Sequence, residues 1–119
     1  MASAGAAQDI LLAELTQSIL SKHPHAQVIL FGSYARGDYT KDSDFDICVL
    51  VPQIQGRRLD MNVDISCCVR EDFPMAFDLI LYTYDEFDAL STQRSRLQYK
   101  IKHEGRALNE RYGSRKRMA

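Results

Sequence analysis

Gly32-Ser33, ten intervening residues and then Asp44-x-Asp46 form the stretch whose residue types and spacing could do chemistry. Asp44 and Asp46 stand two apart at the entry to an apolar run, so as a strand they share one face, about 7 Å apart at Cα. Two acids placed side by side on such a strand repel each other and disfavour the isolated fold. A divalent cation answers that repulsion better than an arginine, because magnesium takes oxygen ligands and commonly uses one or two carboxylates together with phosphate and water. Gly32 follows a short apolar run ending at Phe31 and, lacking a Cβ, lets the backbone approach a ligand closely. Ser33 opens a helical turn whose hydroxyl and free N–H groups point outward together, an arrangement that draws phosphate. Either half alone is weak, since most Gly-Ser junctions are turns and most bare Asp-x-Asp pairs are solvated. The combination is not.

A third carboxylate strengthens it. Asp78 interrupts the apolar run FDLILY, where an acid is out of place unless it serves a site. If its strand lies beside that of Asp46, three carboxylates can converge on one or two cations. Two metals about 3.5–4 Å apart would clamp the attacking and leaving oxygens of a phosphoryl or nucleotidyl transfer. Asp64 is the rival third ligand, ranked below Asp78 because its segment, 57–70, is ambiguous.

The elements that must position these groups follow from apolar spacing. Residues 1–7 are small and weakly structured. Gln8 to Lys22 reads as a helix carrying Leu12, Leu15 and Ile19, stopped by His23-Pro24. Gln27 to Phe31 is a strand, Ser33 to Arg36 a short helix closed by Gly37, and Asp38 to Ser43 a polar loop. Phe45 to Val51 is the strongest strand signal, ended by Pro52. In 57–70, Leu59, Val63 and Cys67 fit a helix face while Leu59, Met61, Val63 and Ile65 alternate like a strand, and helix is preferred. Met75 to Tyr82 is a third strand. Thr83 and Glu86 have capping-box spacing and open a helix through Leu90. A last helix, Ser91 to Glu104, turns Leu97 and Ile101 inward and stops at Gly105. The tail from Tyr112 to Ala119 is basic and expected to be mobile. Helices interleaved with three or more strands make an α/β (α+β) fold with a small mixed sheet flanked by helices.

Composition limits what such a fold can be asked to do. At 119 residues, 45% apolar and 26% charged, the chain reads as a single globular domain spanning 1–119. A net charge of -1 argues against a basic nucleic-acid sleeve or a polybasic membrane anchor, so no direct nucleic-acid binding and no membrane are expected. The longest apolar run, Ile47 to Val51, falls far short of a membrane span. Cys48, Cys67 and Cys68 lack zinc-ligand spacing and read as small buried hydrophobes in a reducing cytosol. No acceptor-binding domain fits in this length, so an acceptor is expected to come from outside.

Gly32-Ser33 with Asp44-x-Asp46, the GSYARG spelling, the FDLI strand and the closing KHEGRALN segment resemble the DNA polymerase β-like nucleotidyltransferase superfamily. The short length resembles its smallest members, the minimal nucleotidyltransferase (MNT) domains. That resemblance implies the mixed sheet of the superfamily and an enzyme that moves a nucleoside monophosphate from an NTP onto a hydroxyl. Carried over by position, Ser33 and the Gly32 backbone would hold the β- and γ-phosphates. Asp44 and Asp46 would hold two Mg2+ ions, and Asp78 would complete the second site and help activate the acceptor. Small members of this kind resemble antitoxins paired with an all-helical HEPN toxin, an RNase silenced by adenylylation of a tyrosine. The resemblance thus implies ATP as donor and a HEPN-type partner in a hetero-oligomer, while the cysteine usage points to a cytoplasmic location. The alternatives are an aminoglycoside-type small-molecule nucleotidyltransferase, which generally carries a further helical domain, and a module that neutralises its partner by contact.

Arg36, one turn beyond Ser33, could touch a phosphate or simply bond a loop carbonyl or carboxylate. Asp38 and Asp42 read as solvated turn residues. Tyr34 packs over the helix in preference to stacking on a base, and Arg115-Lys116-Arg117 reads as a solvated end.

Overall fold

The computed structural model describes residues 4–111, so the expected mobile tail at 112–119 lies outside the described residues. In chain order the elements are α1 (Ala4–Lys22), β1 (Gln27–Phe31), α2 (Ser33–Arg36), β2 (Phe45–Val51), α3 (Arg58–Asp72), β3 (Phe77–Thr83), α4 (Tyr84–Leu90), α5 (Leu97–Glu104) and β4 (Arg106–Ala107). The strands form one mixed sheet in the order β3-β2-β1-β4. β1 runs antiparallel to β2 and β4, while β2 and β3 are parallel, joined by the α3 crossover.

The period of two along β2 sorts its side chains onto two layers. Phe45, Ile47, Val49 and Val51 face α1 and α3 and join Leu12, Leu15, Ile19, Met61, Ile65 and Val69 in the larger core. Cys48 and Leu50 face the other way, against Phe87 of α4 and Ile101 of α5. Asp46 belongs to this second face, near the start of β2. β3 is an edge strand, and α3 blocks it: Arg58 donates to the Leu81 carbonyl at 2.8 Å and Asn62 to that of Leu79 at 3.0 Å. Those side chains occupy acceptors that an intruding strand would need.

Several expectations change. The first helix begins at Ala4, inside the stretch read as weakly structured; alanine is the best helix former, and Arg106 holds Asp9 across the sheet end at 3.3 Å. Segment 57–70 is helical, but its buried residues are Met61, Ile65, Cys68 and Val69, so Leu59, Val63 and Cys67 face outward. Residues 91–96 are turns, with Gln93 N–H bonded to the Leu90 carbonyl and Arg96 N–H to that of Gln93. Ser and Thr there hydrogen-bond the backbone locally and so compete with helix. With the helix starting at Leu97, that residue turns outward and Gln98 and Ile101 inward. Gly105 is extended (φ -76°) and not a left-handed cap; it is small because a Cβ there would press on Ile29 of β1. Among the described residues no helix is long and apolar enough to cross a membrane.

Candidate active site

Three short segments meet where β2 begins. β1 ends at Phe31, paired across the sheet with Asp46, and the chain turns at once through Gly32. Gly32 has φ 75°, a region that L side chains rarely adopt. A Cβ there would also stand 2.9 Å from Asp46 Cγ and closer still to its Oδ2. The Gly32 backbone and the Asp46 carboxylate are therefore in contact, and only glycine permits both the turn and the contact. Ser33 follows as the first residue of α2, a single turn closed by Gly37 N–H donating to the Ser33 carbonyl at 2.9 Å.

The carboxylates gather beside it. Asp46 and Asp78 are in-register partners on parallel strands, so their side chains leave the sheet on the same face. Asp44 immediately precedes β2, two residues before Asp46. Burial raises the Asp46 carboxyl above the usual aspartate range, and the negative charges of Asp78 and Asp44 raise it further, with Arg36 opposing them. The site thus holds an excess of negative charge facing oxygen-only donors, which suits a hard divalent cation. Among the described residues no group of three or more His, Cys, Asp or Glu side chains stands close enough together to hold a metal ion.

Arg36 makes the loop contact and also lies near the acids. It bonds Asp38 at 3.3 Å and lies 3.7 Å from Glu104, yet it is near enough to Asp46 to act on its charge. Glu104 was not foreseen; it arrives from the far end of α5, and nothing in the local sequence marks so distant a partner. Tyr34 has both ring faces covered, by Phe45 at 3.8 Å and Tyr39 at 4.3 Å, which makes it a packing residue. Asp64 is placed elsewhere: it lies on exposed α3, 4.0 Å from His23 Nε2, and is not among the charges acting on Asp46. A cavity of about 260 Å³ lined by Lys22, His23, Val51, Pro52 and Met61 opens at the other end of β2 and carries none of the acids.

A model of the nucleotidyltransferase domain matches residues 12–103. The chain belongs to that family. The matched range takes in the Gly-Ser turn, all three acids and the helices that flank them. A crystal structure of a putative nucleotidyltransferase from Sulfolobus solfataricus is similar at 30% identity and a TM-score of 0.55, over 68% of this chain and 71% of that one. Two proteins of Methanocaldococcus jannaschii, each named a putative protein adenylyltransferase, are 51% identical over 37 residues and 67% identical over 24. Those segments cover 31% and 20% of this chain and only 37% and 24% of the relatives' own length. A looser likeness, 19% identical with a TM-score of 0.48, is to a chain of a toxin-antitoxin structure with AMP-PNP; a match so remote says nothing of partner or nucleotide. The nucleotidyltransferase fold expected from Gly32-Ser33 and Asp44-x-Asp46 is the fold found.

Proposed function

We propose that this nucleotidyltransferase is a magnesium-dependent protein adenylyltransferase that moves AMP from ATP onto a hydroxyl of a partner protein. The observation that carries the reading is the contact of Gly32 with Asp46, itself in register with Asp78, which joins a phosphate-binding turn to the acids in one place. Protein as acceptor and AMP as the group moved come from the names of the two Methanocaldococcus relatives. The partner in this reading is the HEPN-type toxin that the family resemblance implies, its tyrosine the acceptor and this chain the antitoxin.

Asp44, Asp46 and Asp78 would hold Mg2+, which when bound supplies positive charge against the triphosphate and the leaving pyrophosphate. The Gly32 backbone and the Ser33 hydroxyl hold the β- and γ-phosphates in line with departure. Arg36 lies one turn further on and adds charge on the phosphate side. Asp78, exposed at the rim, accepts the proton of the acceptor hydroxyl as that oxygen bonds to the α-phosphorus and the bond to pyrophosphate breaks. Holding the two reactants in line is the chain's main contribution.

The test is incubation with ATP, magnesium and the purified HEPN-type partner, read by intact mass. Gain of AMP units on the partner supports the reading, and a tight complex without a mass change refutes transfer. Magnesium with ATP should also raise the Tm of the free chain, by about 2.7 kcal/mol of stabilisation at a hundred times Kd. No shift at saturating ligand would sink the site.

A further inference from the structure

The outward face of α3 carries an apolar row where a surface helix should be polar. Met61, Ile65, Cys68 and Val69 fill the core side, and Val63 stands on the opposite side of the helix, in line with Leu59 and Cys67 at i−4 and i+4. Leu59 is 70% exposed and Val63 51%, and Cys67 is exposed as well. The crest they form runs about 12 Å along the helix.

Its two flanks differ. On the side toward α1 lie Asp60, Asp64 and Glu71, and beyond Glu71 a shallow groove of about 430 Å³ is lined by Ala13, Glu14, Gln17 and Asp72. Arg57, paired with Asp60 at 2.9 Å, and Lys22, held protonated first by Cys68 and then by the charges of Asp64 and Glu71, offset some of this charge. An acidic excess remains. On the side toward β3, Arg58 is committed to the Leu81 carbonyl and Glu86, and Arg70 lies over the Phe77 ring. In an antiparallel pairing of two copies each flank would meet its own duplicate, setting acid against acid.

The geometry points to the α3 crest as a docking surface for a partner protein's amphipathic helix, one whose apolar stripe is bordered by lysine or arginine. Apolar side chains of that helix cover Leu59, Val63 and Cys67, and its basic flank lies over Asp60, Asp64, Glu71 and the α1–α3 groove. The inference rests on the reading of the acceptor as a protein, and it places recognition on the face of the sheet opposite the acids. Capture of the partner and chemistry on it are then separable.

The test uses the full chain and two synthetic 18-residue helices with the same leucine stripe, one flanked by lysine and one by glutamate. The lysine-flanked helix should bind the wild type, measured by fluorescence anisotropy, and bound peptide should slow alkylation of Cys67. Val63→Asp should weaken that binding at least tenfold, and Asp60→Lys/Asp64→Lys should transfer the preference to the glutamate-flanked helix. The Tm shift with magnesium and ATP should persist in all these variants, which separates failure at the crest from failure of the active site. Equal binding of both helices, no binding of either, or indifference to both variants overturns the proposal. Concentration-dependent doubling of mass abolished by Val63→Asp would replace it with a second copy, and Val63-dependent binding to vesicles of phosphatidylcholine and phosphatidylserine would replace it with a lipid surface.

Discussion

The parallel pair β2–β3 has acids at both ends, and the two ends treat them oppositely. At the start of the pair, Asp46 is raised by burial and by the charges of Asp78 and Asp44. At its finish, where β3 runs into α4, Glu86 is held below the usual glutamate range by Arg58 and by the Thr83 N–H. The Glu86 carboxylate accepts from that N–H at 2.8 Å while the Thr83 hydroxyl accepts from the Glu86 N–H at 3.1 Å, a complete capping box. The same functional group is therefore satisfied at one pole and left with uncompensated charge at the other. The fold can supply donors to an acid, and around Asp46 the opposing positive charge comes from Arg36.

The contrast can be broken most severely at Asp46. Asp46→Asn should lower AMP transfer by ~10²–10³-fold while leaving the metal-free Tm unchanged or higher, because it removes a repelling charge. A variant that keeps full activity would end the assignment of the acids. Next in size is Gly32→Ala, which forces a side chain into a positive φ and onto the Asp46 carboxylate. A loss of about 3 kcal/mol, on the order of 10 °C in Tm, is expected. Gly32→Ala/Asp46→Ala should recover part of it, since the collision is with that carboxylate; no recovery would locate the strain in the backbone alone. At the other pole Thr83→Ala should cost about 1 kcal/mol of stability at neutral pH, with AMP transfer by the folded fraction unaffected. A large loss of transfer at full folding would show that the poles are coupled.

The smallest effect is the pH dependence, and its sign differs between the poles. Glu86, lowered in the folded state, contributes stability that is present above the ordinary glutamate range and lost as pH falls through its lowered value. Asp46, raised, does the reverse: stability declines as pH rises from the ordinary aspartate range through its raised value. Metal-free melting curves across the acid range should therefore show Asp46→Asn gaining on the wild type as pH rises and Glu86→Gln losing ground. Parallel curves for both would mean that the two environments do not differ.

Local signals marked the candidate residues. The period of two placed Asp44 and Asp46 on one face, and the acid in FDLILY was singled out because it broke an apolar strand. The Thr83–Glu86 cap was legible because all its partners lie within four residues. What misled were choices between two faces of one helix. In 57–70 both Leu59-Val63-Cys67 and Met61-Ile65-Cys68-Val69 are apolar rows at helical spacing, and periodicity cannot say which one meets the sheet. At Leu97 the error came from where the helix begins, which the turns at 91–96 decide. The Arg36–Glu104 approach joins α2 to the end of α5, and no spacing in the chain encodes it.

By itself, then, the sequence determined the groups and their local geometry: a glycine turn, a serine at a helix start and one acid at the threshold of a strand with another two residues on, all set by backbone periodicity and the absence of a Cβ. Only the tertiary structure decided which groups meet. The parallel register of β2 with β3 put Asp78 beside Asp46, the antiparallel return of β1 laid Gly32 against the Asp46 carboxylate, and the packing of α3 left Asp64 on another surface. Register and helix rotation are settled by burying the most apolar area over the whole sheet, a sum over distant residues that no local pattern contains.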